Sequence, residues 1–239
     1  FRPFSGVDVN AVARLSAEAE HSARNIKSVK PLPSRKIDMK VPLMDCFTAP
    51  CAHGCPIHQD IPEYIALAER GEYEKALALI TEKNPLPFIT GTICSHRCMD
   101  KCTRNYLDES VRIREIKLEC AKRGYAALTE HIAPVPVKKN APRTAVVGGG
   151  PAGIAAAYFL AREGYPVTVF EREANVGGIV RNVIPAFRIA NEAVECDAAL
   201  ARKTGARFVT GKDAPAADVL RAMGFDFILL AFGAQKKGR

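Results

Sequence analysis

The sequence has no apolar run approaching the ~20 residues that a membrane-spanning helix needs. No charged-then-apolar leader opens it either. These absences argue against a helical membrane protein and against export, so a cytoplasmic location is expected. A dense run of lysine or arginine is also missing. The formal net charge of +8 is spread along 239 residues, which reads as a solvated basic surface and not as a patch for nucleic acid or membrane. No side chain reads as a general acid or base for substrate chemistry, so no catalytic residue is assigned. The chain opens on Phe1 instead of methionine and is expected to be part of a longer protein.

What is present is the composition of a soluble globular protein, 48% hydrophobic and 25% charged, in a length that supports two modest cores. The eight cysteines are unevenly distributed. Six fall in two groups, Cys46/Cys51/Cys55 and Cys94/Cys98/Cys102, while Cys120 and Cys196 stand apart in predicted helices. In a chain without a secretory leader, clustered thiols point to metal or redox chemistry sooner than to disulfides.

Periodicity and chain punctuation divide the sequence. Residues 1–42 read as a lead-in, with a helix over 10–25 that the Pro31 and Pro33 segment breaks off. Residues 43–133 read as an all-α, cysteine-rich module, with helices over 61–70, 72–82 and 111–128. Pro62 starts the first of these, Gly71 ends it, and Asn84-Pro85-Leu86-Pro87 stops the second. Residues 134–143 carry three prolines and read as an extended linker. From Thr144 the pattern alternates: strand 144–147, helix 151–163, strand 167–170, helix 191–203, strands 207–210 and 226–231. Alternation of this kind predicts a parallel α/β sheet over residues 144–239.

The sharpest motif is Gly148-Gly149-Gly150-Pro151-Ala152-Gly153, which fits G-x-G-x-x-G between a predicted strand and a predicted helix. Gly148 allows the tight turn, Gly150 allows close approach of a pyrophosphate, and Gly153 lets helix and strand pack closely. The helix N-terminus then presents free N–H groups and partial positive charge to the phosphates. Glu171, at the end of the second strand, is placed to accept a ribose hydroxyl. After it no second G-x-G-x-x-G occurs, so a nicotinamide-binding domain, if the protein uses one, is expected outside this chain.

The cysteine groups read Cys46-x4-Cys51-x3-Cys55-Pro56 and Cys94-x3-Cys98-x3-Cys102. Thiolates this close can wrap a metal centre, and iron–sulfur clusters suit a neighbouring dinucleotide site because they carry electrons singly. His53, His58 and His96 lie among them, and Cys with His also suits zinc. The alternative to electron transfer is therefore a cluster-deficient structural or docking module that binds zinc.

The Gly148–Gly153 run, followed by Glu171, Val176-Gly177-Gly178 and Ile184-Pro185-Ala186-Phe187-Arg188, resembles the FAD domains of the glutamate synthase small-subunit type. The run from Asp45 to Cys102, with Gly54-Cys55-Pro56-Ile57-His58-Gln59-Asp60-Ile61-Pro62 and Asn84-Pro85-Leu86-Pro87-Phe88-Ile89-Thr90-Gly91, is similar to the N-terminal helical domain shared by that subunit and dihydropyrimidine dehydrogenase. Selenate reductase-type members resemble it most nearly. The likeness covers roughly residues 43–235. It implies an α-helical iron–sulfur domain, ferredoxin-like in function, followed by a Rossmann-type FAD domain. FAD would lie against Gly148, Gly149, Gly150, Pro151, Ala152, Gly153, Glu171, Gly177, Gly178, Ile179 and Arg188. Two 4Fe–4S clusters with crossed wiring are implied: Cys46, Cys51 and Cys102 for one, Cys55, Cys94 and Cys98 for the other. Leu43 and Lys117 stand where the family supplies further ligands, so each cluster lacks one, and Cys120, one helical turn past Lys117, reads either as a buried packing residue or as a substitute at the second. NAD(P)H is implied in a further domain. The expected partners are the remaining domains or a catalytic subunit of the same oxidoreductase.

Overall fold

The computed structural model describes residues 9–22 and 48–234. Leu43, Asp45 and Cys46, and the proline break at 31 and 33, lie outside the described residues. The chain forms two units, residues 1–47 and 48–239. Within the first, α1 (Val9–His21) is a helix on which Val12 and Leu15 are exposed.

The second unit begins with short helices punctuated by proline. α2 (Pro50–Gly54) and α3 (Ile61–Glu69) each carry Pro at the first or second position, where no intrahelical N–H bond is lost. Gly71 turns the chain from α3 into α4 (Tyr73–Lys83). Its φ of +76° lets Gly71 N–H reach Ala68 O and Glu72 N–H reach Leu67 O, closing the helix end. Pro87, which reads as part of a stop, instead starts a helix: α5 (Pro87–Ile93) follows Leu86 directly. α6 (Arg97–Asp100) and a 3-10 turn (Thr103–Tyr106) carry the chain past the second cysteine group into α7 (Ile113–His131). α7 packs on α4 and α5. At Gly124 the crossing leaves no room for a side chain, since a Cβ would stand 2.3 Å from Tyr73 O.

Residues 132–143 contain no helix or strand but are held to the nucleotide half, with Val135 N–H donating to Thr204 O and Lys138 N–H to Gly164 O. The sheet then forms from β1 (Thr144–Val147), β2 (Val167–Glu171), β3 (Arg207–Thr210) and β4 (Phe227–Leu230). All pairings are parallel and the order is β3-β2-β1-β4. α8 (Pro151–Arg162) and α10 (Asn191–Lys203) make the connections on one side, with α9 (Ile179–Asn182) between them. α11 (Ala217–Ala222) packs Leu220 with Ala145, Phe170 and Phe225 on the other face. This is the doubly wound arrangement expected from the alternating pattern.

One apolar core runs through both halves. It includes Leu77, Phe88, Ile89, Ala121 and Leu128 of the helical half, together with Ile154, Ala157, Val194, Ala198 and Ala201 of the sheet half. A separate cluster, Ile61, Tyr64, Leu67, Ala76, Ile80, Ile113 and Cys120, lies beneath the cysteines. Among the described residues β4 pairs only with β1, and its Phe227, Leu229 and Leu230 are exposed. No helix among the described residues is long and apolar enough to cross a membrane.

Candidate functional site

The β1–α8 turn builds a cavity of about 790 Å³ at the C-terminal ends of the strands, where open parallel sheets bind ligands. Gly148, Gly150, Pro151, Ala152, Glu171, Gly178 and Ile179 of the predicted set line it. The other glycines shape it from behind. A Cβ on Gly153 would stand 1.9 Å from Gly148 O, and one on Gly149 would meet Glu171 and Val176 at 3.0 Å. At Gly177 the φ is +123° and a Cβ would press on Val194 and Arg181. Gly150 differs: apart from its chain neighbours, only Gly178 Cα comes within 4 Å of its absent Cβ, so its side of the loop is open. Arg188 is exposed and does not line the cavity.

Glu171 is buried at the rim of the loop. One carboxylate oxygen accepts the Gly149 N–H at 2.6 Å, and the other accepts the Glu173 N–H at 2.9 Å. The carboxylate thus ties β2 to the phosphate loop before any ligand arrives, while each oxygen retains a lone pair for a hydroxyl. Sequence reading missed Asn182, Val183, Asp213, Ala231 and Phe232 on the cavity wall. Asn182 and Val183 lie just past Ile179 and the other three come from segments remote in sequence, and no local motif marks any of them. The glycine cradle, the first turn of α8 and Glu171 fit the pyrophosphate and ribose of a dinucleotide.

The second site is the set of thiols. Cys51 lies in α2, Cys55 just after it, Cys94 at the end of α5, Cys98 in α6, and Cys102 before the 3-10 turn. All five are partly buried and free of disulfides. Electrostatic interactions join them into two groups that share Cys55: Cys51 with Cys102 and Cys55, and Cys98 with Cys55 and Cys94. Burial, reinforced by these neighbouring thiols, pushes the Cys51 and Cys98 thiols up. Among the described residues, no three His, Cys, Asp or Glu side chains converge as the ligands of one metal ion do. The ligands of a cluster bind different irons and so stand farther apart than those of one ion, and these five soft donors suit that chemistry while leaving further irons of two such clusters to other ligands.

His53 and His58 are exposed, with ring centroids 6.2 Å apart. His96 lies in the left-handed region at φ 44°, and its Nδ1 is buried without a hydrogen-bond partner. Such an orphaned atom between Cys94 and Cys98 is suited to a sulfur or iron neighbour. Cys120 is wholly buried in the apolar cluster, its thiol pushed up by burial to about 11. Cys196 is partly buried against the shared core.

Two neighbours of the thiols, Tyr64 and Asp197, escaped sequence reading, and Lys117 is read there only as a position where a cluster ligand is lacking. Tyr64 is buried and interacts electrostatically with Cys98, Cys120, Cys55 and Cys51; burial, then these thiols, push its hydroxyl up. Lys117 is buried in α7 and interacts with Cys94, Cys98, Cys55 and Asp197; burial pushes its ammonium down. Asp197 of α10 is fully buried, and its two oxygens accept the N–H groups of Phe88 at 3.0 Å and Ile89 at 2.8 Å. The signal that could have found the burial of the last two is periodicity. Lys117 falls on the Ile113–Ala121 stripe of α7 and Asp197 on the Val194–Ala201 stripe of α10, both otherwise apolar.

Residues 42–126 match the family model of dihydropyrimidine dehydrogenase domain II, a 4Fe-4S cluster domain. Residues 146–212 match the NAD(P)-binding Rossmann-like domain. The chain is 42% identical over 231 residues to a protein of Escherichia coli (strain K12) named as an oxidoreductase, YgfK, covering 96% of this chain and 22% of that protein. It is 34% identical over 200 residues to the NADPH-Fe(3+) oxidoreductase subunit beta of Geobacter sulfurreducens, covering 81% of this chain and 29% of that protein. It is 36% identical over 195 residues to the glutamate synthase [NADPH] small chain of Mycobacterium tuberculosis, covering 80% and 39%. The chain therefore spans well under half the length of these relatives. The chain thus matches a 4Fe-4S domain of the dihydropyrimidine dehydrogenase type ahead of an NAD(P)-binding Rossmann-like domain, and the relatives it resembles include proteins named as oxidoreductases.

Proposed function

We propose that this chain is the electron-transfer region of an NAD(P)H-dependent iron–sulfur flavoprotein oxidoreductase. One observation carries the reading. A single compact unit holds both a dinucleotide cavity at Gly148–Gly153 and two adjoining groups of partly buried thiols. FAD is the dinucleotide. It would be held by Gly148, Gly150, Pro151, Ala152, Glu171, Gly178 and Ile179, with Gly149, Gly153 and Gly177 shaping the loop. Arg188 would reach FAD only if its exposed side chain folds inward. Cys51 and Cys102, joined by Cys46, would hold one 4Fe–4S cluster. Cys55, Cys94 and Cys98 would hold the other. When bound, the flavin accepts a hydride's two electrons and the clusters pass them on singly.

The chain's own residues orient and insulate. Glu171 and the α8 N-terminus fix the dinucleotide, and the Ile61, Tyr64 and Ile80 cluster keeps water from the thiols. NAD(P)H binding belongs to a further domain, and the partner is the rest of the longer protein or a catalytic subunit. Two relatives named as a subunit beta and a small chain support that. The protein acts in the cytoplasm.

Anaerobic reconstitution of the intact protein tests the reading through visible and EPR spectra. Flavin absorption and cluster signals are expected, with Cys55→Ser losing iron while keeping flavin. Absence of both cofactors overturns it. A second reading, a cluster-deficient structural or docking module that binds zinc, is favoured by Leu43 and Lys117, which stand where each cluster would take a further ligand. Metal analysis separates the two: iron with acid-labile sulfide supports the first, and zinc alone supports the second.

A further inference from the structure

Lysine is almost never fully buried without a partner, yet Lys117 is only 6% exposed in the middle of α7. The rest of its stripe is Ile113, Cys120, Ala121, Gly124 and Leu128, so helix packing alone gives no reason for a cation there. Ile113 and Cys120, on the same face of α7, belong to the apolar cluster against which Cys55 and Cys98 pack, and the electrostatic neighbours of Lys117, whose ammonium burial pushes down, are Cys94, Cys98 and Cys55, and from the nucleotide half Asp197. Asp197 is itself fixed by the Phe88 and Ile89 N–H groups at the start of α5, the helix that ends at Cys94. The lysine is thus held where three thiols of one group and the boundary between the two halves meet.

The geometry points to Lys117 as the buried counter-charge of the centre formed by Cys55, Cys94 and Cys98, facing it as a cation and N–H donor and not as an iron ligand. This rests on the cluster reading above. An ammonium has three donors and no lone pair, so it cannot bind iron. A neutral amine could, but it would leave three thiolates and the cluster uncompensated in an interior where unpaired charge is costly. A fixed positive charge beside a centre that gains an electron stabilises the reduced form. Lys117 therefore makes this centre easier to reduce than its neighbour, which among the described residues has no buried lysine facing it. Three protein thiolates and no fourth protein ligand from α7 follow for this centre.

The test is an EPR-monitored redox titration of the intact, iron-loaded protein and its Lys117→Met and Lys117→Arg variants. With Lys117→Met, one centre is expected to shift to lower potential, with its reduction equilibrium weakened by roughly tenfold or more. Iron and sulfide content should be unchanged, and Lys117→Arg should retain the parent potential. Independently, pulsed EPR on unmodified protein labelled with ¹⁵N-lysine should give a weak nitrogen coupling to one reduced centre. An unshifted potential in Lys117→Met with normal cluster signals overturns the role of Lys117 alone. So does a strong, directly bonded nitrogen coupling, a lack of any lysine coupling, or loss of iron from Lys117→Met. A parent protein without clusters overturns the cluster reading as well.

Discussion

Asp197 bears directly on stability. It is fully buried, and two backbone donors of α5 depend on its two oxygens. Asparagine offers only one acceptor and turns an N–H donor towards another donor. Asp197→Asn is therefore expected to destabilise the protein by about 1–3 kcal/mol in denaturant unfolding. The same residue sets a pH dependence. Burial pushes its carboxyl from 3.8 up to about 8, against the opposing pull of the Ile89 and Phe88 N–H groups and Lys117. An acid whose pKa rises on folding favours the folded state most below its unfolded value. That contribution is lost as pH climbs from about 4 towards 8. Stability should fall over this window in the parent, and Asp197→Asn should flatten the fall. An unchanged slope in the variant would assign the dependence elsewhere.

The elements themselves were largely legible. α10 spans the residues 191–203 that periodicity predicts, and β1 and β3 also coincide with their predicted ranges. Helix and strand periods dominate there because each element buries one continuous stripe. α5 was not legible, because Asn84-Pro85-Leu86-Pro87 reads as a stop while Pro87 also suits the first turn of a new helix. The phosphate loop was legible for a related reason: its demands are local and written in glycine. The setting of Lys117 and Asp197 was not, since it exists only once α5, α7 and α10 dock. Two predictions belong to this scale. Gly150→Ala should fold as well as the parent, because only Gly178 Cα lies near, at 3.8 Å, but should weaken flavin binding at least about tenfold in a fluorescence titration. Gly124→Ala should instead cost about 3 kcal/mol or more in thermal or denaturant unfolding, since its Cβ would meet Tyr73 O at 2.3 Å where α7 crosses α4.

At the scale of the whole molecule, the helical and sheet halves share one core. Phe88 meets Tyr125 edge-on, the Tyr125 hydroxyl donates to Cys196 O, and Arg162 of α8 donates to Thr81 O of α4. Residues 48–234 should therefore unfold in a single transition, with far-ultraviolet circular dichroism and tyrosine fluorescence giving one midpoint. Two separated midpoints would show the halves to be thermally independent. A shared core also suits electron transfer, because thiols and dinucleotide cavity then keep a fixed separation. Sequence segmentation at residues 134–143 conveys none of this, since a proline-rich stretch looks the same whether it swings free or is pinned to Gly164 and Thr204.

The side of β4 that no other described strand pairs carries a different consequence. Its exposed Phe227, Leu229 and Leu230 read, with Ile228, as an uninterrupted apolar strand, the composition of a strand meant to lie inside a parallel sheet. Left open, such an edge is a template for adventitious strand pairing. Prepared as these 239 residues alone, the protein should form higher oligomers with rising concentration in sedimentation velocity. Leu230→Lys should suppress them without altering the fold. The practical corollary concerns handling: inactivity or precipitation of this polypeptide in isolation would report on an uncovered sheet margin before it reported on the redox centres.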